Sequence, residues 1–282
     1  MPEKTVLITG CSQGGIGASL AKVFRAKGFY VFATVRNVAK AGSLVDREGI
    51  EILELEVTSL ESIQQCARAV EKRTGGSLDV LVNNAGASHV LPLLDTTIDE
   101  AKKLYDTNVW SVLAMTQAFT PMLVKAKGVL CNISSVAAFV PFAMSGTYNS
   151  SKAATTMLSE TLRLELEPLG VRVITVMVGI VDTPINAKSD ALVLPDNSYY
   201  GVIRDRIALF RDGSAYPNKQ DPDVTAKNIV HDVVNGSSSY IWRGQSASLA
   251  WFCFTFIPNR FLVNMMNGDK GLDEVARAHK SG

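Results

Sequence analysis

The stretch Thr5-Val-Leu-Ile-Thr-Gly-Cys-Ser-Gln-Gly-Gly-Ile-Gly17 decides the fold. Residues 5–9 form a short apolar run that reads as a buried strand. Glycine-rich residues 10–17 follow at once. A helix is expected over about 16–26, where Leu20, Val23 and Phe24 recur at core spacing before Gly28 ends the run. A strand that enters a helix through glycines lets the backbone approach a phosphate closely, and the helix start offers unpaired N–H groups. The same glycines also suit a tight turn with close strand–helix packing, so this stretch settles architecture before chemistry.

The alternation continues along the chain. Strands are expected at 30–35, 51–56, 80–83, 128–133 and 171–178. Helices are expected at 59–73, 98–125 and 148–167, the last ending before Pro168 and Gly170. Strands separated by helices of this length imply right-handed βαβ units and a parallel sheet covered on both faces. The expected fold is α/β: one doubly wound sheet of seven strands, in a single domain over residues 1–282. Beyond Thr183 the pattern changes. Pro184, Pro195, Pro217 and Pro222 punctuate residues 184–222, which read as an irregular substrate loop. Residues 240–282 form an apolar C-terminal segment.

Bulk properties exclude several classes. The chain has 282 residues, 47% hydrophobic and 20% charged, enough for a large core and too little charge for disorder. A formal net charge of +1 and the lack of a Lys/Arg block argue against nucleic acid as a partner. Cys11, Cys66, Cys131 and Cys253 are far apart, and His89, His231 and His279 are scattered, so no metal site is expected. Free thiols point to a reducing, cytoplasmic setting. The N-terminus lacks a secretory h-region, and no segment reaches the ~20 apolar residues that span a bilayer.

Chemistry enters at Ser145-Gly-Thr-Tyr-Asn-Ser-Ser-Lys-Ala-Ala154. Of the seven tyrosines, Tyr148 alone has a lysine four positions later, Lys152. On a helix the pair shares one face, one turn apart. An ammonium group near a phenol favours the phenolate and is expected to lower the Tyr148 pKa. The pair can then deliver a proton to a carbonyl oxygen or remove one from an alcohol. The end of the second strand names a cofactor. NAD-binding folds usually carry an acid there, whereas residues 30–45 hold none and offer Arg36, whose guanidinium suits a 2′-phosphate. NADP(H) is the expected cofactor.

In order along the chain stand the Gly10–Gly17 loop, Asn83-Asn84-Ala85-Gly86, Asn108, Ser134-Ser135, Tyr148, Lys152 and Val178-Gly-Ile-Val-Asp-Thr183. This ordered set resembles the short-chain dehydrogenase/reductase family over about residues 4–185. The resemblance implies a Rossmann-type fold and a catalytic set of Asn108, Ser135, Tyr148 and Lys152. Ser135 is preferred to Ser134 because it lies thirteen positions before Tyr148, as in the family. Ser135 would polarise the carbonyl, Tyr148 would donate the proton, and Lys152 would assist and bind the nicotinamide ribose. Asn108 would hold a relay water. Cofactor contacts implied are Gly10, Ser12, Gly15, Ile16, Gly17, Arg36, Glu56, Asn84, Gly86, Tyr148, Lys152, Val181 and Thr183.

The chain departs from the family in three places. Four residues separate Gly10 from Gly15 where three are usual, so the turn should bulge near Ser12 and Gln13. Glu56 replaces an aspartate near the adenine, and Val178 replaces a proline. Gly14-Gly15-Ile16-Gly17 and Trp242-Arg-Gly-Gln245 are most similar to fungal members related to NADPH-dependent 1-acyldihydroxyacetone-phosphate reductases, a subgroup that includes secondary-metabolite reductases.

The resemblance therefore implies NADPH-dependent reduction of a ketone on a hydrophobic small molecule or lipid. The apolar run 136–144 beside Ser135 would form its pocket wall, with His89 a bystander. Two alternatives stand: the same residues oxidising an alcohol in a biosynthetic pathway, or a catalytically silent nucleotide sensor, against which the full catalytic set argues. The aromatic tail (Trp251, Phe252, Phe254, Phe256, Phe261) is expected to pack over the site or on a subunit. Peripheral contact with the endoplasmic reticulum or a lipid droplet is the other reading. The family's paired long helices imply a homodimer or homotetramer.

Overall fold

Alternating side chains of the first strand explain why helices cover both faces of the sheet. The structure, a computed structural model, describes residues 3–185, 192–236 and 239–280. Strand β1 (Thr5–Ile8) turns Val6 and Ile8 to one face and Leu7 to the other, and all three are fully buried. On the first face lie helix α1 (Ile16–Ala26), through Leu20 and Phe24, and α7 (Pro222–Val234), through Ile229 and Val233. On the second lie α2 (Leu60–Thr74), α4 (Ser111–Ala126) and α5 (Gly146–Leu166), through Ile63, Phe119 and Leu166. A strand buried on both faces needs this continuous apolar run.

The remaining strands are β2 (Tyr30–Val35), β3 (Ile50–Glu54), β4 (Val80–Asn83), β5 (Val129–Ile133), β6 (Arg172–Val178) and β7 (Ser239–Arg243). They form one sheet in the order β3-β2-β1-β4-β5-β6-β7, with every neighbouring pair parallel. The expected doubly wound, seven-stranded α/β sheet is present. The order reverses between β1 and β4, which opens a crevice beyond their C-terminal ends. There the Thr9 hydroxyl accepts hydrogen bonds from the backbone N–H groups of Asn84 and Ala85, each at 2.9 Å, and joins the two loops.

Three elements differ from the sequence reading. The helix expected over 98–125 is interrupted: α3 (Ile98–Tyr105) passes through a π-helical turn, Asp106–Trp110, into α4. The wider turn carries Asn108 inward, which a uniform helical reading cannot show. The seventh strand lies at the start of the segment read as an apolar tail. The loop over 184–222, of which 186–191 fall outside the described residues, contains helix α6 (Arg204–Asp212). Ile203, Ile207 and Phe210 recur at helical spacing and are buried with Val90 and Met144. Pro222, taken as a sign of irregularity, opens α7 at a position where a helix has no use for its N–H. The Asp221 carboxylate accepts from Asp223 N at 2.7 Å as the cap.

Polar residues bind α5 to the sheet. The buried Asn132 of β5 accepts from Asn83 Nδ2 at 2.9 Å and donates to Ser159 Oγ at 2.9 Å. Ser159 Oγ in turn donates to Thr155 O at 2.7 Å. Replacing Asn132 by alanine leaves buried partners unpaired. The Asn132→Ala variant should lose about 2–3 kcal/mol of unfolding free energy, read from urea denaturation.

Candidate active site

The glycine loop runs from β1 into α1. Gly10 has φ +75°, and a side chain there would stand 2.9 Å from Ala85 Cα. At Gly17 a Cβ would sit 2.5 Å from Gly10 O and 2.6 Å from Asn84 Nδ2, so no side chain is accommodated. The expected bulge has a definite form. Gly15 N donates to Ser12 O at 3.1 Å, and Gly14 takes φ +79°. Gln13 N donates to Lys40 O at 2.8 Å, while its side chain packs against Gly42. Ser12 therefore faces the crevice and Gln13 turns away. No side chain caps α1 at Gly15, so its first N–H groups remain open to an anion. The residues present fit a dinucleotide phosphate.

A cleft of about 200 Å³ follows from this loop. Among its lining residues are Ser12, Gly15, Ile16, Asn84, Gly86, Ser135, Tyr148, Lys152, Val181 and Thr183. Gly10 and Gly17 support it from behind. Asn84 Nδ2 donates to Thr9 O at 2.8 Å and to Gly10 O at 3.2 Å, fixing the loop from the β4 side. Arg36 and Glu56 lie outside the lining, past the ends of β2 and β3, with Arg36 Nη1 and Glu56 Oε2 3.9 Å apart. Their side chains are 68% and 42% exposed, so Arg36 is free to reorient toward a ligand. Glu56 Oε1 is engaged by the Thr58 hydroxyl at 2.9 Å.

The proposed catalytic side chains converge at the cleft floor. Ser135 and Tyr148 both line the cleft, and the Ser135 hydroxyl donates to Val178 O at 3.3 Å. Ser134 points elsewhere and pairs with Thr156 Oγ1 at 2.6 Å. Lys152 is buried, with Nζ donating to Ile133 O at 3.0 Å and lying 5.9 Å from the Tyr148 ring centroid. Asn108 is also buried. Its Oδ1 accepts from Ala87 N at 2.8 Å, and its Nδ2 donates to Ala87 O and to Ser151 Oγ, each at 3.0 Å. Ser151, which the sequence reading did not single out, sits within the Tyr148–Lys152 turn and was legible by position. The Asn108 carbonyl accepts from Thr155 Oγ1 at 2.7 Å. Both amide hydrogens of Asn108 are thus used, and its oxygens are what remain for a water.

Electrostatics correct one expectation. Burial raises the Tyr148 phenol above its ordinary value, and the hydrogen bond from Ser135 offsets part of the rise. Lys152 was expected to pull the phenol down. Instead, burial lowers Lys152 itself to about 8. The lysine gives up its charge before the phenol titrates, so it offers the phenolate no cation at that point. Tyr148 therefore stays a protonated donor at neutral pH.

A second chamber of about 260 Å³ shares Ser135, Tyr148, Gly179, Val181 and Ile185 with the cleft. Val136, Ala137, Val140 and Phe142 from the expected wall line it. Phe139 instead packs on Phe254, with ring centroids 4.6 Å apart. Helices α8 (Ala247–Phe256) and α9 (Asn259–Asn267) close the chamber with Ala250, Cys253, Leu262 and Met266. The expected packing of the five tail aromatics over the site is not seen: other side chains of these helices line the chamber, and of the five only Phe254 meets its wall run, at Phe139. Trp251, Phe252, Phe256 and Phe261 remain exposed on the outside. His89 lines neither cavity and pairs with Thr96 Oγ1 at 3.3 Å. Phe210 and Tyr216 also line the chamber, and no local sequence signal marked them. Among the described residues no His/Cys/Asp/Glu group could hold a metal, and no helix is long and apolar enough to cross a membrane.

Comparison with known proteins identifies the family and agrees with the fold. The sequence pattern of the short chain dehydrogenase family matches residues 4–192. The chain belongs to that family. It is 57% identical over 274 residues to the short-chain dehydrogenase cctT of Talaromyces islandicus, covering 96% of this chain and 97% of the relative. It is 44% identical over 202 residues to the NADPH-dependent 1-acyldihydroxyacetone phosphate reductase of Schizosaccharomyces pombe, covering 70% and 68%. A crystal structure of a short-chain dehydrogenase from Streptomyces avermitilis superimposes with a TM-score of 0.78 at 30% identity, covering 89% and 91%.

The depressed lysine has a thermodynamic consequence. Between about 8, its folded value, and 10.5, its ordinary value, the unfolded chain holds a proton that the folded chain has lost. Stability attributable to Lys152 therefore rises with pH across that window, and the burial penalty is fully present below it. The stability difference between wild type and Lys152→Met should change by up to ~3 kcal/mol from pH 7.5 to pH 10.5, measured by urea denaturation.

Proposed function

We propose that the chain catalyses the NADPH-dependent reduction of a ketone on a hydrophobic small molecule or lipid. One observation carries this reading: an apolar chamber meets the nucleotide cleft at Ser135 and Tyr148. A ketone in the chamber can rest its oxygen between these two hydroxyls. Ser135 then orients and polarises the carbonyl, and Tyr148 protonates the oxygen as negative charge develops. The bound cofactor supplies the hydride. Lys152 would engage the nicotinamide ribose, Asn108 would hold a relay water by an oxygen, and Thr183 and Val181 would meet the carboxamide end. Gly10, Ser12, Gly15, Ile16, Gly17, Asn84 and Gly86 would form the rest of the cradle, with Glu56 toward the adenine. The raised Tyr148 pKa keeps the acid loaded at neutral pH.

The preference for NADP(H) is supported by Arg36, by the absence of an acid over residues 30–45, and by the NADPH dependence of the fission-yeast relative. Exposed Trp110, Met157 and Leu164 on the α4–α5 side support a homodimer or homotetramer. The aromatic outer face of α8 and α9 supports either a further subunit contact or peripheral contact with a membrane or lipid droplet. Four free, buried cysteines fit a cytoplasmic enzyme.

Tyr148→Phe removes only the proton donor. It should lower kcat for a panel of apolar ketones by about three orders of magnitude or more while NADPH still binds, read from cofactor absorbance and fluorescence titration. Full activity in that variant would remove Tyr148 from the mechanism. Arg36→Asp should weaken NADPH binding by about 100-fold and NADH far less, since only one carries the 2′-phosphate. Equal losses would contradict the assignment.

A further inference from the structure

The wall of the chamber contributed by α6 and the residues after it contains a polar group that the reaction does not use. Tyr216 lines the chamber together with Tyr148. Among the described residues, nothing hydrogen-bonds its hydroxyl. Apolar groups dominate the chamber it lines: Phe210 stands with its ring centroid 5.8 Å away, and Val90, Leu262 and Met266 line the same space, with Ser88, Ser145 and Asn149 among the polar lining residues. A phenol hydroxyl facing an apolar cavity without a partner gains most from a ligand oxygen placed there.

A buried cation backs the neighbouring Phe210 ring. Lys270 is buried, and its Nζ lies 3.2 Å from the Phe210 ring centroid and 5.9 Å from that of Tyr216. A desolvated ammonium over an aromatic face binds it more firmly than one in water. Lys270 belongs to the turn between α9 and α10 (Leu272–Ala278). That turn is itself pinned to α6: Arg206 donates to Asp269 O at 2.8 Å and pairs with Glu274 at 2.6 Å. The C-terminal segment thus packs against Phe210, the aromatic neighbour of Tyr216. Burial, then Asp269, then Tyr148 raise the Tyr216 pKa, which keeps the hydroxyl a donor.

We propose that Tyr216 is a substrate-anchoring residue: its hydroxyl donates a hydrogen bond to a second oxygen of the substrate, distinct from the carbonyl reduced at Tyr148. The inference rests on the ketone-reductase reading for the location of the substrate. It narrows the substrate class to an apolar molecule with a hydroxyl, phenol or carbonyl oxygen remote from the reacting ketone. A purely hydrocarbon ketone would leave the Tyr216 hydroxyl without a partner from the ligand and bind less well.

The test compares β-tetralone with its monohydroxylated isomers on the NADPH-saturated enzyme, by calorimetric binding and by turnover, in wild type and in Tyr216→Phe. The substitution removes one oxygen and keeps the ring over Lys270, so folding is preserved. The wild type should bind at least one hydroxylated isomer about tenfold or more tighter than β-tetralone, and Tyr216→Phe should bring that ratio close to one. The proposal is overturned if no isomer is preferred, or if the preference survives in Tyr216→Phe. Binding discrimination that depends on Tyr216, with no turnover of any isomer, would uphold the anchor and refute the reductase reading. The two failures are thereby distinct.

Discussion

Lys152 carries its ammonium to the sheet side of α5, where the carbonyl of Ile133 accepts one of its protons at 3.0 Å. Burial of a cation is costly, and here it is tolerated only because helix and strand approach closely enough to supply that acceptor. The close approach has a visible cause. The inner face of α5 is made of Ser151, Thr155, Thr156 and Ser159, all buried, where a typical packed helix would present leucines. Their small hydroxyl side chains let the helix sit near β5. They find partners in Asn132, Ser134, Asn108 and the helix's own carbonyls. The same closeness places Tyr148, one turn earlier, against Ser135.

The π-helical turn between α3 and α4 answers the same demand from the neighbouring element. A regular helix would carry Asn108 along its surface at even spacing. The wider turn brings its amide to the backbone of Ala87 and to Ser151, so the loop after β4 and the start of α5 are tied to one side chain. Three segments distant in sequence thereby acquire a fixed relation around the Lys152 ammonium. Rigid placement of this kind is what a proton donor requires, since its efficiency depends on distance and direction more than on its intrinsic acidity.

The two cavities divide the remaining work by polarity. The cleft beyond β1 and β4 is bounded by glycines, open N–H groups and short polar side chains, which suit a charged dinucleotide. The chamber is bounded largely by aliphatic and aromatic groups from the segment after β5, the loop after β6, and helices α6, α8 and α9. Tyr148 and Ser135 stand on the border, with access to both. The C-terminal helices have two unlike faces: one completes the chamber, and the other leaves Trp251, Phe252, Phe256 and Phe261 in contact with solvent.

Much of this was legible in the linear chain. Local rules read the strand, turn and helix of residues 5–26, the alternation that demands a parallel sheet, and the one-turn spacing of Tyr148 and Lys152. These depend on periodicity and backbone chemistry, which neighbours in sequence fully specify. The helix within 184–222 was also written there, in the spacing of Ile203, Ile207 and Phe210, but prolines obscured it. Other features had no local signal. The sign of the Tyr148 shift depends on how much water the packed elements exclude, and that depth of burial belongs to no single segment. The π turn is settled by partners at Ala87, Ser151 and Thr155. The packing of Lys270 behind Phe210, which lines the chamber with Tyr216, brings together residues some 60 positions apart (Phe210 to Lys270). By itself the sequence determined the class of fold and the residues able to do chemistry. Only the tertiary structure decided their protonation, their partners and the shape of the space they face, because desolvation and hydrogen-bond geometry arise when distant segments pack.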